Sequence, residues 1–506
     1  MQFGLTNYSI LFVYLGLMIA VGAWWSRRQK TTEDYFLAGR RMPWIVVSMS
    51  AFVSLTSAIS YLGVPRTSYE ENISMIVGYV SSPIVAVILI AVFMPFYFRL
   101  RVTTSYEYID RRFGQTARFV IAGLWMLSRL GWLGTVIFAP SLALSVVTGM
   151  PLWATIILIG TLATIYTTLG GLSAVIWTDM VQFVILAGGA VWVAITLIQS
   201  VPDGVTGIWQ IAEQGGRTSG FHWGITLSKM SASTAVIAMF LAGLHDFGTD
   251  QVTVQRLLAV PRYRDVAKAI LANAAITMLI MSLLLFIGIG LFAYYKTFPG
   301  LLDPAMNQDK ILPFYIMQAL PVGISGLLVT AIFAAAMSSM DSGIHSLSTV
   351  VVHDFVRPLR GRSHNDHDDH SDLVLARVLV VVLGVLATVV AFWVSSFEHV
   401  LDAAATILGL FNAPILALFM LGMFTRRGLF AGWIIGVFPA MIGLLTILQI
   451  EKARGEVQLH WYYRFPFSFV TCITIGYVAS RCFKRPLSDH RDLTIWRSRD
   501  VSPARP

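Results

Sequence analysis

Of the few ionisable side chains inside long apolar runs, two stand out: Arg129, in Trp125-Met-Leu-Ser-Arg-Leu-Gly-Trp132, and Asp179, after Gly170-Gly-Leu-Ser-Ala-Val-Ile-Trp-Thr178. A charge at the centre of a bilayer costs at least about 2.5 kcal/mol on insertion scales, so each is a candidate for function. The guanidinium needs either an internal carboxylate or a bound anion. The carboxylate can pair structurally, hold a cation or relay a proton. Hydroxyls give a second signal. In Ala331-Ile-Phe-Ala-Ala-Ala-Met-Ser-Ser-Met-Asp-Ser342, helical spacing puts Ala335, Ser338, Ser339 and Ser342 on one face. Such a stripe either lets helices approach closely or offers neutral oxygens to a hard cation.

The elements that position these groups follow from composition. Of 506 residues, 56% are hydrophobic and 12% charged, about half the charge of a soluble chain. That excludes a cytosolic enzyme, a secreted disulfide scaffold and a disordered chain. Thirteen apolar stretches approach the roughly 20 residues a membrane span needs: 8–25, 43–63, 74–98, 117–147, 152–170, 172–199, 231–249, 266–293, 313–351, 374–396, 400–424, 428–449 and 462–482. Runs this long and uniformly apolar predict an all-α integral membrane protein of about 13 transmembrane helices and exclude a barrel. The split at Gly170-Gly171 rests on the helix-breaking pair alone.

Lysine and arginine orient the chain. With the N-terminus outside, 27 of the 36 lie in inside loops and the tail, eight lie outside, and Arg129 is within a span. The C-terminus is then cytoplasmic. The same asymmetry explains the net charge of +9 without a nucleic-acid partner. The first run lacks a preceding basic cluster, unlike a cleaved signal, so it is expected to stay as a helix. Cys472 and Cys482 read as free thiols. The His/Asp-rich stretch 363–372 carries ligand-type side chains but reads as a solvated linker.

Two segments look discontinuous. Ser48-Met-Ser-Ala-Phe-Val-Ser-Leu-Thr-Ser-Ala-Ile-Ser-Tyr-Leu-Gly-Val-Pro65 is rich in Ser and Thr and ends in proline, which suits a helix interrupted near mid-membrane. Gly243-Leu-His-Asp-Phe-Gly-Thr-Asp-Gln251 turns polar where a helix should continue. Interrupted second and seventh spans, five apart, point to an inverted-repeat transporter with its site at the repeat interface. No triad-like spacing supports a membrane enzyme.

Taken together, Tyr35-Phe-Leu-Ala-Gly-Arg40, Gly170-Gly171 with Thr178-Asp179 and Gln182, Asp250-Gln251 with Gln255-Arg256, and Ala335 with Ser338-Ser339 resemble the sodium:solute symporter family. The likeness runs from about residue 5 to 482. It implies a leucine-transporter-like core of five plus five inverted repeats, with one extra N-terminal and two extra C-terminal helices. The parts would be 1–42 (extra helix and cytoplasmic loop), 43–199 and 231–424 (repeats), 428–482 (two extra helices) and 483–506 (tail). Na+ would be the coupling ion, one or two per cycle. The main sodium site would fall on the carbonyls of Val53, Thr56 and Ala335 and the hydroxyls of Ser338 and Ser339. A second sodium site, used by some members, would draw on Asp179, Ser338, Asp341 and Ser342. Ser128-Arg129-Leu-Gly with Ala139-Pro-Ser-Leu-Ala looks like the sialic-acid branch, in which an arginine holds the substrate carboxylate. Ser57 and Ser60 would face the same cavity. The implied activity is sodium-coupled import of a small organic anion across a bacterial inner membrane, sialic acid first among acidic sugars. Another solute or proton coupling is the alternative. No obligate protein partner is implied.

Overall fold

The computed structural model describes residues 4–26, 32–100, 102, 104–169, 172–218, 221, 223–224, 227–229, 231–303, 306, 308–359, 369–396, 400–483 and 493–495. The regular structure among them is all helical, with no strand. The principal helices, in chain order, are α1 (Leu5–Ser26), α2 (Trp44–Leu55), α3 (Ala58–Glu70), α4 (Met75–Phe98) and α5 (Tyr106–Phe113). They continue with α6 (Gln115–Thr148), α7 (Leu152–Leu169), α8 (Leu172–Ser200), α9 (Ala232–Gly248), α10 (Gln251–Leu258) and α11 (Tyr263–Thr297). The last five are α12 (Ile324–Val350), α13 (Asp369–Val394), α14 (Asp402–Phe424), α15 (Phe430–Arg454) and α16 (Trp461–Cys482).

Among the described residues, nine helices are long and apolar enough to cross a membrane, and α2 with α3 makes a tenth as one bent span. Three shorter apolar stretches fall in α1, α7 and α9. Every stretch marked in the sequence coincides with a helix or a bent pair, with one revision. The expected run 313–351 divides into Ile311–Ala319 and α12, because Pro321 follows the first and Gly323, at φ +94°, starts the second. Gly170 and Gly171, the expected break between α7 and α8, lie outside the described residues, as do residues 363–368 of the His/Asp stretch. Among the described residues no three metal-ligating side chains cluster. Cys472 and Cys482 are free thiols.

Burial sorts the helices by role. The most apolar window of α13 is only 33% buried, and Val378, Val382, Val385 and Val389 face outward at helical spacing. By contrast α12 is 89% buried, so its Ser, Asp and His side chains must all be satisfied by protein or by something bound. That makes α12 the axis around which the site is built. Beside it, the short helix Thr32–Leu37 sets Tyr35 and Phe36 against His345, with ring centroids 4.9 and 6.0 Å away. Burial pushes the Tyr35 phenol up to about 12, so it stays neutral. The following Ala38-Gly39-Arg40 turn is left-handed at all three residues, with φ of 52°, 60° and 52°. Left-handed Ala and Arg are strained, and Arg40 and Met42 are held by the Leu258 and Ala259 carbonyls at the end of α10.

Close backbone approach fixes α3 against α11. Ser68 Oγ donates to the Leu285 carbonyl at 2.8 Å. A Cβ on Gly288 would lie 1.9 Å from that Oγ and 2.2 Å from the Pro65 carbonyl, so only glycine fits.

Candidate functional site

The span containing α2 and α3 bends by 65° at Thr56-Ser57. Thr56 leaves helical geometry (φ −91°, ψ 86°), and Ser57 is extended, its Oγ accepting from the Ile59 N–H at 3.1 Å. The break is thus a serine N-cap. Pro65, expected to mark the interruption, lies inside α3 instead, eight residues further on. A proline removes its own N–H bond and crowds the preceding turn, which the helix Ala58–Glu70 accommodates at Pro65, whereas the cap restarts the helix at Ala58. At the end of α2 the carbonyls lose their helical partners. Ser339 Oγ of α12 donates to the Val53 carbonyl at 3.4 Å and to that of Ser54 at 3.1 Å. Val53, Ser54 and Ser339 therefore meet at the break. Thr56 borders it from the cavity side, and Ala335 is fully buried one turn earlier on α12.

Ser338 points to the other side of this junction, donating to Asp179 Oδ1 on α8. Asp179 also accepts from Ser50 at 2.5 Å, from Ser54 at 3.3 Å, and from Arg256 Nη2 at 3.2 Å. Arg256 is fully buried and further donates to Ser50 Oγ at 2.8 Å, to the Val252 carbonyl at 2.9 Å and to Ser342 Oγ. Ser342 in turn meets Ser54 at 2.9 Å. Of the four residues considered for a second ion, Asp179, Ser338 and Ser342 come together, and a guanidinium sits among them. Asp341 turns to another face, accepting from Thr167 of α7. Arg256, counted with the inside loops, is a correction to that count: α10 returns into the protein, and its arginine pairs with a carboxylate 77 positions earlier. Ser50 and Ser54 are contacts that the sequence does not single out, and Arg256 enters there only as part of the family resemblance, with no site role.

A cavity of about 240 Å³ opens beside the first break. Thr56 and Ser60, Tyr79 of α4, Trp132 of α6, Asp246 of α9 and Asn273 of α11 line it, with an otherwise largely aliphatic and aromatic wall. Ser60 lines this cavity. Ser57 is not on the wall: it is fully buried and its hydroxyl is spent on the cap.

Arg129 borders a second, smaller chamber of about 40 Å³ that shares Leu55, Trp132, Asp246 and Leu408 with the first. Its Nη2 donates to both oxygens of Asp250, at 2.7 and 2.6 Å. Trp125 Nε1 donates to the same carboxylate at 3.2 Å, and the Val252 N–H at 2.8 Å. Asp250 is the N-cap of α10 and lies at the break between α9 and α10, the second interrupted segment. The two answers open for Arg129 are therefore not exclusive. One edge of the guanidinium holds an internal carboxylate, while no described residue accepts from Nε or Nη1.

The model of the sodium:solute symporter family matches residues 35–438. A sodium/sialic acid symporter of Aliivibrio fischeri is 31% identical over 492 residues, 96% of this chain and 95% of that one. One of Proteus mirabilis is 30% identical over 487 residues, 95% and 96% of the two chains. The substrate-bound outward-open structure of a Na+-coupled sialic acid symporter, whose report describes a novel Na+ site, matches with a TM-score of 0.85. It is 28% identical and covers 96% of this chain and 99% of its own.

Proposed function

Because the chain belongs to the sodium:solute symporter family, we propose that it carries a small organic anion across the membrane by coupling it to sodium, with sialic acid as the substrate. The observation that carries this reading is the Ser339 hydroxyl against the freed Val53 and Ser54 carbonyls. Neutral oxygens from two helices, one of them discontinuous, suit a monovalent hard cation. The ion would tie the tip of α2 to α12, beside Thr56, and thereby order one wall of the cavity. Sodium and substrate would then each favour the state the other binds. Val53, Thr56 and Ala335 carbonyls with Ser339, and Ser338 after a rotamer change, are the ligands of this reading.

Arg129 would receive the substrate carboxylate on its unoccupied edge, and Ser60 would donate to the substrate from the first broken helix. Ser57 would act on the substrate only indirectly, by fixing where α3 begins. Around Asp179, Arg256 already supplies the positive charge that a second cation would bring, which supports one sodium per cycle. The two broken spans belong to repeats 43–199 and 231–424 in this reading. The basic loops set the N-terminus outside and the C-terminus in the cytoplasm of a bacterial cell, as a multi-pass inner-membrane protein.

Purified protein in liposomes, with labelled N-acetylneuraminate and sodium or proton gradients imposed separately, tests the proposal. Accumulation is expected with a sodium gradient alone, at one sodium per substrate. Equal accumulation in choline buffer overturns the coupling, and two sodium ions per substrate overturn the role given to Arg256.

A further inference from the structure

Asp246 is a carboxylate at the junction of both chambers, walled by Leu55, Trp132 and Leu408. Its side chain is 34% exposed, and its one hydrogen-bond partner among the described residues is the neighbouring His245, whose Nδ1 lies 3.1 Å from Oδ1. No described residue donates to Oδ2. Asp179 and Asp250, the other two acids at this level, each have an arginine. An acid open to a cavity in the middle of apolar helices is expensive and calls for a functional reason.

Charge tells which one. Arg129, Asp250 and Asp246 border the small chamber together, one positive charge against two negative. A bare carboxylate docking on Arg129 would enter a space already holding an excess negative charge, and like charges in a low dielectric repel strongly. The balance improves if the same end of the substrate brings hydrogen-bond donors to Asp246. Resting on the reading that Arg129 binds the substrate acid, we infer that Asp246 is the specificity-determining acceptor. It selects carboxylic acids that carry hydroxyl or amide N–H groups close to the acid function and rejects plain monocarboxylates. The rejection is by repulsion, and the acceptance by charge-assisted hydrogen bonds. Once a bound substrate displaces water from this acceptor, an analogue that lacks the donor leaves the carboxylate unpaired and is disfavoured.

The experiment compares wild type, Asp246→Asn and Asp246→Ala in proteoliposomes with an inward sodium gradient. It uses N-acetylneuraminate as the donor-bearing acid and propanoate as the plain one. Wild type should take up the first and be poorly inhibited by the second. In Asp246→Ala the KM for N-acetylneuraminate should rise about tenfold to a hundredfold, the range for hydrogen bonds to a charged group, with kcat within about threefold. Inhibition by propanoate should strengthen in both variants because the repelling charge is gone. Asp246→Asn, which keeps an acceptor oxygen, should fall between wild type and Asp246→Ala in KM. Unchanged KM and unchanged propanoate inhibition overturn the inference, as does a loss of kcat and sodium activation together, the mark of a structural role. A wild type that prefers propanoate, or takes up neither acid, also overturns it. Uptake of N-acetylneuraminate without any need for sodium sinks the coupling proposal alone, and the KM comparison still decides the role of Asp246.

Discussion

The two broken helices use the same backbone device and differ in charge. Between α2 and α3, an uncharged Ser57 caps the restarted helix through Ile59 N–H; between α9 and α10, Asp250 does so through Val252 N–H. With no charge in the first cap, the freed carbonyl oxygens of Val53 and Ser54 stay available, and Ser339 meets them. At the second, the cap carries a full negative charge, which Arg129 and Trp125 compensate. One substitution in the cap therefore separates a junction suited to a small cation from a junction that holds a guanidinium in place. The asymmetry lets one scaffold present both signs of charge within a single cavity system.

Removing the charged cap should have the largest effect. Asp250→Ala deletes the helix cap and leaves Arg129, 5% exposed, without its carboxylate. Breaking a buried pair from one side costs about 3–5 kcal/mol, and the lost cap about 1 kcal/mol more. Thermal unfolding in detergent should show a large fall in midpoint, and uptake should be abolished. Asp250→Asn keeps a capping oxygen and removes only the charge, so it should recover the smaller portion of the loss. Equal stability of the two variants would show that the cap contributes nothing at this break.

How much of this was legible beforehand depends on the range of the interaction. The helices were, because each apolar run carries its own evidence for a span. Both discontinuities were visible too, from hydroxyl-rich and glycine-containing segments, though the first was tied to Pro65 while the structure breaks at Thr56-Ser57. Six Ser and Thr residues between positions 48 and 60 offer several competing caps, and which serine is spent on the backbone depends on how the two half-helices cross. Arg256 is named in the family resemblance but placed with the inside loops, because the polar segment around it has the composition of a loop and its burial follows only from pairing with Asp179. Arg129 was found as an isolated charge, but Asp250, 121 positions away, could not be paired with it by spacing. Asp246 reads only as part of the interrupted segment 243–251, and its role appears once the cavity places it.

The uncharged break should respond through sodium rather than stability. Ser339→Ala removes the one side chain that meets the Val53 and Ser54 carbonyls, in a helix where alanine fits without a clash. A lost hydroxyl contact to a cation, comparable to a hydrogen bond to a charged group, corresponds to about 1.5–3 kcal/mol. The sodium concentration for half-maximal uptake should rise by about tenfold or more, while KM for the substrate at saturating sodium stays close to wild type. An unshifted sodium dependence would remove Ser339 from the ion site and leave its hydroxyl a purely structural bond.

The smallest effect is expected at the neutral cap itself. Ser57→Ala removes the oxygen that accepts from Ile59 N–H and should cost about 1 kcal/mol of stability, as for other serine caps. No charge is stranded, so the loss should be well below that of Asp250→Ala. Because the Ser57 side chain is fully buried and off the cavity wall, substrate KM should change little, whereas Ser60→Ala, on the wall, should raise it. A large rise in KM from Ser57→Ala would mean that the hydroxyl leaves the cap to meet the substrate, and the first break would then be a substrate-gated joint rather than a fixed one.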